Sequence, residues 1–572
     1  MKSPRVLRAG STTKSPSAAS AAPQKFRWTS FALFAGSALL AHVLLARSWY
    51  SRFLIGPSLP DHWVRNLTYT PGSLTHPAQA EQRGDPQCHK LRAARADARA
   101  RRGTQSLNFC EDVLFLEGLD HEGDVTPLLL ATCDPGRGEW NTVMGPLKEP
   151  QPRGGLWVWD PANPSAEPVL LSPSLNTTQD PFPDSFHPLG AAMYPSSSGD
   201  EPSTLLVVNH ASTHSTIEVF SISIHGESGV PRAERIKLSH RGTISDALAT
   251  HTPNSIAMLS QDSFLVTNDH LFALRPPPRE QVVNLLQALR APHWLALLGA
   301  AVLTNPILSQ ILPRIETFMG LKLGWVARVQ MQPSERTSIT VTSALAAQGI
   351  AFANGISVSP KGTTIAVAST TLPGVVLYSP HLDGDGKPDW SRPLEKRGTI
   401  HTPQTPDNLS FSSSDHLGAR SLSHTTQGNS ERVQDDPFDA SRLVVAGHPH
   451  PLRLVGMART VRSSRPKRAG SWVIDILPAS STLSKSVAHL RDDTTDDSMV
   501  RSTRYAPIDL TKSLVKPNAA EWVVRSLYLS TDGAEPGTPS SAGAEWLAGK
   551  EHGTLVISGL YGGVMVCTKV AT

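Results

Sequence analysis

Four short polar clusters, far apart in the chain and each flanked by strand-like apolar runs, carry the groups most suited to chemistry: Glu111-Asp112, Thr252-Pro-Asn254-Ser255, Phe352-Ala-Asn354-Gly355 and Asp407-Asn408. Carboxylates and carboxamides are oxygen donors, the ligands a hard cation such as calcium requires. A fold that gathered these clusters at one point would have a metal site. Glu111 and Asp112 are neighbours on a predicted strand and so point to opposite faces, which suits two ions better than one.

The elements that position these clusters belong to a large globular chain. Its 572 residues are 39% hydrophobic, enough for a substantial core. Lys plus Arg total 53 against 49 Asp plus Glu. The small excess sits in the first 30 residues and in Arg462 to Arg468, which gives no basis for nucleic-acid binding. Residues 1–27 form a basic tail, with Lys2, Arg5, Arg8, Lys14, Lys25 and Arg27. An apolar run from Trp28 to Ala46 follows, inside an aromatic-flanked segment 28–50. About 19 apolar residues approach the ~20 that cross a bilayer, and the preceding cations favour a cytoplasmic N-terminus. The expectation is a single-pass signal anchor, with a cleaved signal peptide as the alternative, a linker at 51–86, and a folded part 87–572 in the secretory lumen or outside the cell. Asn66 and Asn176 head glycosylation sequons that agree with this address.

The cysteines are Cys88, Cys110, Cys133 and Cys567. Four cysteines allow three pairings. Cys110 begins one strand-like run and Cys133 ends the next, so a hairpin would set them opposite each other; that would leave Cys88 for Cys567. Four buried thiols are the alternative. Short β-rich runs such as Gly155–Trp159, Ser263–Thr267 and Thr554–Ile557, separated by Gly, Pro, Asn and Asp, suggest a barrel, sandwich or propeller. No WD or kelch repeat selects among these. Two insertions interrupt the pattern. Residues 411–440 are Ser-, Asp- and His-rich, as in a disordered loop. Residues 279–320 read as helical, Arg279 to Arg290 first, then an apolar stretch from Trp294 broken at Asn305-Pro306.

Leu205-Leu-Val-Val-Asn-His210 followed by Ser215 to Phe220 resembles the serum paraoxonase/arylesterase family, as do Phe264 to His270, Phe352 to Pro360, Asp407 to Ser410 and Ala446 to Pro449. The resemblance runs in order from about residue 88 to 567. It implies an all-β, six-bladed β-propeller closed by an N-to-C-terminal disulfide, with calcium in its central tunnel, hydrolysing lactones, aryl esters and, in some members, organophosphate triesters. It assigns a catalytic calcium to Glu111, Asn254, Asn354, Asp407 and Asn408, and a second, structural calcium to Asp112. The charge of the first set agrees: two carboxylates match one Ca²⁺, and three amide oxygens add coordination without charge.

Two positions depart from the family pattern. Leu189, in Phe186-His187-Pro188-Leu189-Gly190, stands where the family has a histidine of its proposed general-base pair, and leucine cannot accept a proton. His210, the other member, is retained, and His187 lies two residues from the missing position, on the same face of an extended segment. Ser255 replaces an aspartate of the structural site. Residues 279–320 form either a helical cap packed on the domain or, since the family rests a helix on lipid after its Thr-Asn-Asp-His strand, a membrane contact through residues 293–312 that adds to the anchor. The expected substrate is a small apolar lactone or ester. The competing expectations are a propeller that binds calcium without catalysis, and a gluconolactonase- or strictosidine-synthase-like enzyme.

Overall fold

The computed structural model describes residues 87–93, 106–119, 126–142, 145–148, 153–175, 182–196, 201–225, 229–332, 339–402, 404–412, 441–478, 522–530, 541–547 and 552–571, together with Gly36. The chain falls into two units, Met1–Ser48 and Trp49–Thr572, and every described residue but Gly36 belongs to the second. Apart from Gly36, the expected basic tail, membrane anchor, linker, both sequons and residues 413–440 lie outside the described residues.

The apolar β-rich runs form strands because each has an inward face of Val, Ile, Leu and aromatic side chains to bury against a neighbouring sheet. The result is an all-β protein with a propeller-like arrangement of mostly antiparallel sheets. One meander comprises Cys110–Phe115, Leu129–Cys133, Gly155–Trp159 and Val169–Leu170. The next comprises Pro188–Tyr194, Ser203–Asn209, Thr216–Ile224 and Ile236–Ile244, edged in parallel by Ser174–Leu175. Three more begin with Pro253–Ser260, Ala353–Val358 and Thr405–Ser412 and hold four strands each. Finally Ser541–Leu547, His552–Gly559 and Met565–Ala571 are completed by Gln87–Lys90, the first described strand of the chain. This meander joins the first through a single pairing, Cys110 with Gly559, making one eight-stranded sheet.

The first strands of successive meanders pack on one another in a closed cycle: Cys110–Phe115 on Pro188–Tyr194, and so on until Ser541–Leu547 returns to Cys110–Phe115. Glycine permits this proximity. A Cβ on Gly190 would lie 2.4 Å from the Asn254 carbonyl oxygen, and one on Gly355 2.6 Å from Asn408 Cα. Both disulfides expected from the sequence are present. Cys110 bonds Cys133 across the first hairpin, and Cys88 bonds Cys567, tying the opening strand to the last.

Residues 279–320 form three helices, α1 (Arg279–Ala288), α2 (His293–Leu303) and α3 (Leu308–Met319). Helix α2 buries Ala296, Ala300 and Leu303 and leaves Trp294 66% and Leu298 59% exposed; Ile307, Ile311 and Ile315 continue the exposed apolar surface along α3. Among the described residues no single helix is long and apolar enough to cross a membrane; α2 and α3 qualify by length and composition only as a pair bent by 98°. A fourth helix, α4 (Pro451–Thr460), follows the strand Arg442–His448 and was not anticipated. The polar insertion expected at 411–440 starts later, because Phe411 and Ser412 belong to the strand Thr405–Ser412.

The Cys88–Cys567 bond closes a span of 479 residues, so its loss frees more chain than loss of the 23-residue Cys110–Cys133 link. The double variant C88A/C567A should lose about 3–5 kcal/mol in urea unfolding, more than C110A/C133A. Equal losses would mean that the terminal bond does not hold a ring.

Candidate metal centre and catalytic cavity

Every first strand breaks register with its partner near its beginning. The breaks fall between Cys110 and Asp112, Pro188 and Ala191, Pro253 and Ile256, Ala353 and Ile356, Pro406 and Leu409, and Ser541 and Ala544. A bulge releases residues from the ladder and re-aims their side chains. The released residues are Glu111, Leu189-Gly190, Asn254-Ser255, Asn354-Gly355, Asp407-Asn408 and Ala542-Gly543. Every residue expected in the catalytic calcium site is therefore a bulge residue.

Glu111, Asn254, Asn354 and Asp407 line one cavity of about 640 Å³, together with His187, Leu189 and His210. The group is internally bonded. Asn354 Nδ2 donates to Asp407 Oδ1 and, at 3.1 Å, to Thr370 Oγ1. Asn408 Nδ2 donates to Glu111 Oε1 at 3.1 Å. Asp407 Oδ2 lies 3.0 Å from His448 Nε2. These contacts use the amide nitrogens of Asn354 and Asn408 and leave oxygens over: Glu111 Oε2, Asn254 Oδ1, Asn354 Oδ1 and Asn408 Oδ1 are buried without a partner among the described residues. Burial, then the nearby Asp112 charge, pushes the Glu111 carboxyl well above its ordinary range, while Arg137 pulls it down. Asp112 faces away, as the strand alternation required. Its carboxylate accepts the N–H groups of Val113 and Ala191, each at 3.0 Å, and burial raises it to about 7. Ser255 Oγ accepts the Ile356 N–H at 3.4 Å.

The two histidines differ in what their ring nitrogens do. His210 Nε2 donates to the Pro253 carbonyl at 2.8 Å, so Nδ1 accepts from the Thr142 hydroxyl at 2.8 Å. Both nitrogens are committed, and burial lowers its pKa to about 4. His187 Nδ1 lies 3.0 Å from Asp134 Oδ2, whereas Nε2 is buried beside the cavity with no partner among the described residues. Asp134 is itself fixed by the Gly136 N–H at 2.9 Å, and the His187 main chain donates to Asn209 Oδ1 at 2.9 Å. The carboxylate holds the tautomer with hydrogen on Nδ1 and keeps the Nε2 lone pair free.

The helical insertion reaches the same cavity. Glu316 of α3 accepts the Leu271 and Phe272 N–H groups at 3.0 and 2.9 Å, and Thr317 accepts from His270 Nε2 at 2.7 Å while donating to the Pro313 carbonyl. Burial would lower His270, but its pKa is raised overall because Asp269, 3.0 Å away, and Glu316 favour the imidazolium. Residues of α4 cover another part of the wall. Asp134, Arg137, Trp140 and α4 escaped the sequence reading, although Asp134 directly follows Cys133. Asp269 and His448 stood inside quoted strings without a role. Among the described residues no group of three or more His, Cys, Asp or Glu side chains could hold a metal, so any ion here depends on the carboxamides.

No family model matches the chain. Human serum paraoxonase/arylesterase 1 is 26% identical over 199 residues, which cover 35% of this chain and 40% of that protein. The mouse protein of the same name is 28% identical over 201 residues, with the same coverage. The chain thus spans less than half the length of these curated relatives. Among solved structures, a luciferin-regenerating enzyme aligns with a TM-score of 0.34 and 10% identity over 84% of this chain and 95% of that one. A calcium-binding regucalcin from Agrobacterium tumefaciens aligns at 0.24 and 13% over 59% and 84%.

The folded pKa of His210, about 4, lies below the ordinary 6.5. This group therefore supports the fold above pH 6.5, and that support is lost as pH falls towards 4. In urea unfolding the stability advantage of wild type over His210→Asn should shrink by about 2 kcal/mol between pH 7 and pH 5. An unchanged difference would show that the imidazole is not held neutral.

Proposed function

We propose that the chain is a six-bladed, calcium-dependent propeller hydrolase of lactones and aryl esters. The reading of six blades follows the closed cycle of first strands, with the eight-stranded sheet counted as two blades bridged at Cys110 and Gly559. The similarity to the serum paraoxonase/arylesterases supports a lactonase or esterase within a paraoxonase-like or related propeller family. One observation supports the metal: four buried oxygens from four separate strands have no partner among the described residues, three of them on residues lining one cavity and the fourth on Asn408, whose amide nitrogen is engaged by Glu111. Leaving such acceptors unsatisfied is costly, and a hard cation satisfies them. Glu111, Asn254, Asn354, Asp407 and Asn408 would hold it. Bound there, calcium would supply Lewis-acid stabilisation of the charge that develops on a carbonyl oxygen. A second ion at Asp112 remains part of this reading.

His187, with Asp134 behind it, takes the proton from the attacking water at Nε2 and returns it to the leaving oxygen. Asp134 stabilises the imidazolium formed between those steps. His210 holds the Pro253 carbonyl, next to Asn254, and so positions a metal-site strand. The apolar face of α2 and α3 lies against a bilayer, and a 28–50 anchor keeps the propeller on the lumenal or external side with the N-terminus cytoplasmic.

Leu189 favours a second reading, in which the propeller binds calcium and an apolar ligand without turnover. A panel of lactones and phenyl acetate separates the two. Hydrolysis should disappear on chelation and return with calcium, and Glu111→Gln or Asn354→Ala should lower kcat/KM roughly 100-fold. Turnover that survives thorough chelation would end the calcium reading. His187→Gln should lower kcat on the order of 10²–10⁴-fold, with Asp134→Asn following it. If only His210→Gln does so, the base has been assigned to the wrong histidine.

A further inference from the structure

The acidic lining residues Glu111, Asp134, Asp269 and Asp407 are all buried, with the cation Arg137 buried among them, whereas the other cations, Lys148, Arg314, Arg459 and Arg462, line the cavity from exposed positions. The one partly exposed acid of the lining, Glu139, lies 3.9 Å from Arg462, which also donates to the Pro135 carbonyl at 2.8 Å. Arg314 gives one N–H to the Gln310 carbonyl of its own helix, and Arg459 makes no side-chain hydrogen bond or ion pair among the described residues. Each of these two shares a helix face with an apolar lining residue one turn away: Phe318 beyond Arg314 on α3, and Val455 before Arg459 on α4. The wall thus passes from polar floor to apolar side to cationic rim on two separate helices.

We propose that the substrate is an amphiphile whose apolar body ends in an anion, a carboxylate or a phosphate, remote from the reacting carbonyl, and that Arg314 and Arg459 bind that end. This rests on the cavity being the substrate site and names the substrate class for it. The guanidinium donors offer charge-assisted hydrogen bonds to a planar or tetrahedral oxyanion. An anionic end held at the rim leaves the apolar body and the reacting carbonyl to extend towards the floor.

The test is equilibrium binding of 11-(dansylamino)undecanoic acid and of its methyl ester to the full-length chain in calcium, followed by dansyl fluorescence. The acid should bind roughly tenfold more tightly, the equivalent of one charged hydrogen bond. R314Q/R459Q should bring the two constants to within about twofold. Equal binding by wild type, or a preference that survives in the variant, overturns the proposal. Flotation with phosphatidylcholine vesicles, with and without phosphatidylglycerol, separates the other source of anions. If the double variant loses only affinity for anionic vesicles and keeps the dye preference, the arginines are membrane contacts and the proposal fails. Because the readout is binding, missing turnover would damage the hydrolase reading alone. A chain that hydrolyses neutral lactones without any dye preference would keep that reading and lose this one.

Discussion

The site depends on first strands that approach too closely to carry side chains at their closest points. Gly190 abuts the Asn254 carbonyl and Gly355 abuts the Asn408 backbone. Each strand leaves its ladder at that height, through the register breaks that release Glu111, Asn254, Asn354 and the Asp407-Asn408 pair. Phe109 and Phe352, just before two of these strands, take left-handed backbone angles of 55° and 54°, a cost that surrounding packing must offset. Phe352 is packed edge-on against His270 at 4.4 Å. The same tight centre that forbids side chains at the glycines thus forces polar neighbours out of the sheet and into the cavity.

Gathering carboxylates there is unfavourable unless other groups respond. Glu111 and Asp407 face one cavity with Asp112 close behind, and burial drives Glu111 and Asp112 towards their protonated forms. The described protein answers with Arg137, His448 and two amide nitrogens. These engage Glu111 Oε1 and both Asp407 oxygens but leave Glu111 Oε2 and three amide oxygens unmatched. Buried polar groups are ordinarily paired, and here the unmatched atoms of four strands are all oxygens, the donor type a hard cation takes.

The β-rich architecture, both disulfides and the opposed directions of Glu111 and Asp112 were legible in the sequence because each depends on local patterning: alternation, hairpin symmetry, adjacency on a strand. The bulges were not, since a register break is set by the partner strand. The proline, alanine or serine before each pair of released residues gives no sign of it. Helix α4 was hidden for another reason. Its Pro451 to Thr460 run carries a short apolar stripe, Pro451, Leu454, Val455 and Ala458, interrupted by Gly456 and flanked by arginines, and of these only Pro451 is buried. Its place in the wall comes from tertiary position alone. Asp134 needed three dimensions too, because it meets His187 across 53 positions of sequence.

The Asp134–His187 contact is built apart from the position that Leu189 occupies. Leu189 fills a bulge slot equivalent to those of Asn254 and Asn354, and it packs with Leu206 and Val208 at 7% exposure. A proton acceptor in that slot would share the crowded floor with the carboxylates. His187 stands just before the break, where Asp134 can reach Nδ1 without joining that charge cluster. Asp134 follows the disulfide-bonded Cys133 and donates its own N–H to the Phe109 carbonyl at 3.0 Å, so the hairpin that places Glu111 on the floor also fixes the carboxylate behind the imidazole. One covalently pinned hairpin therefore sets both Glu111 on the cavity floor and Asp134, the carboxylate behind His187.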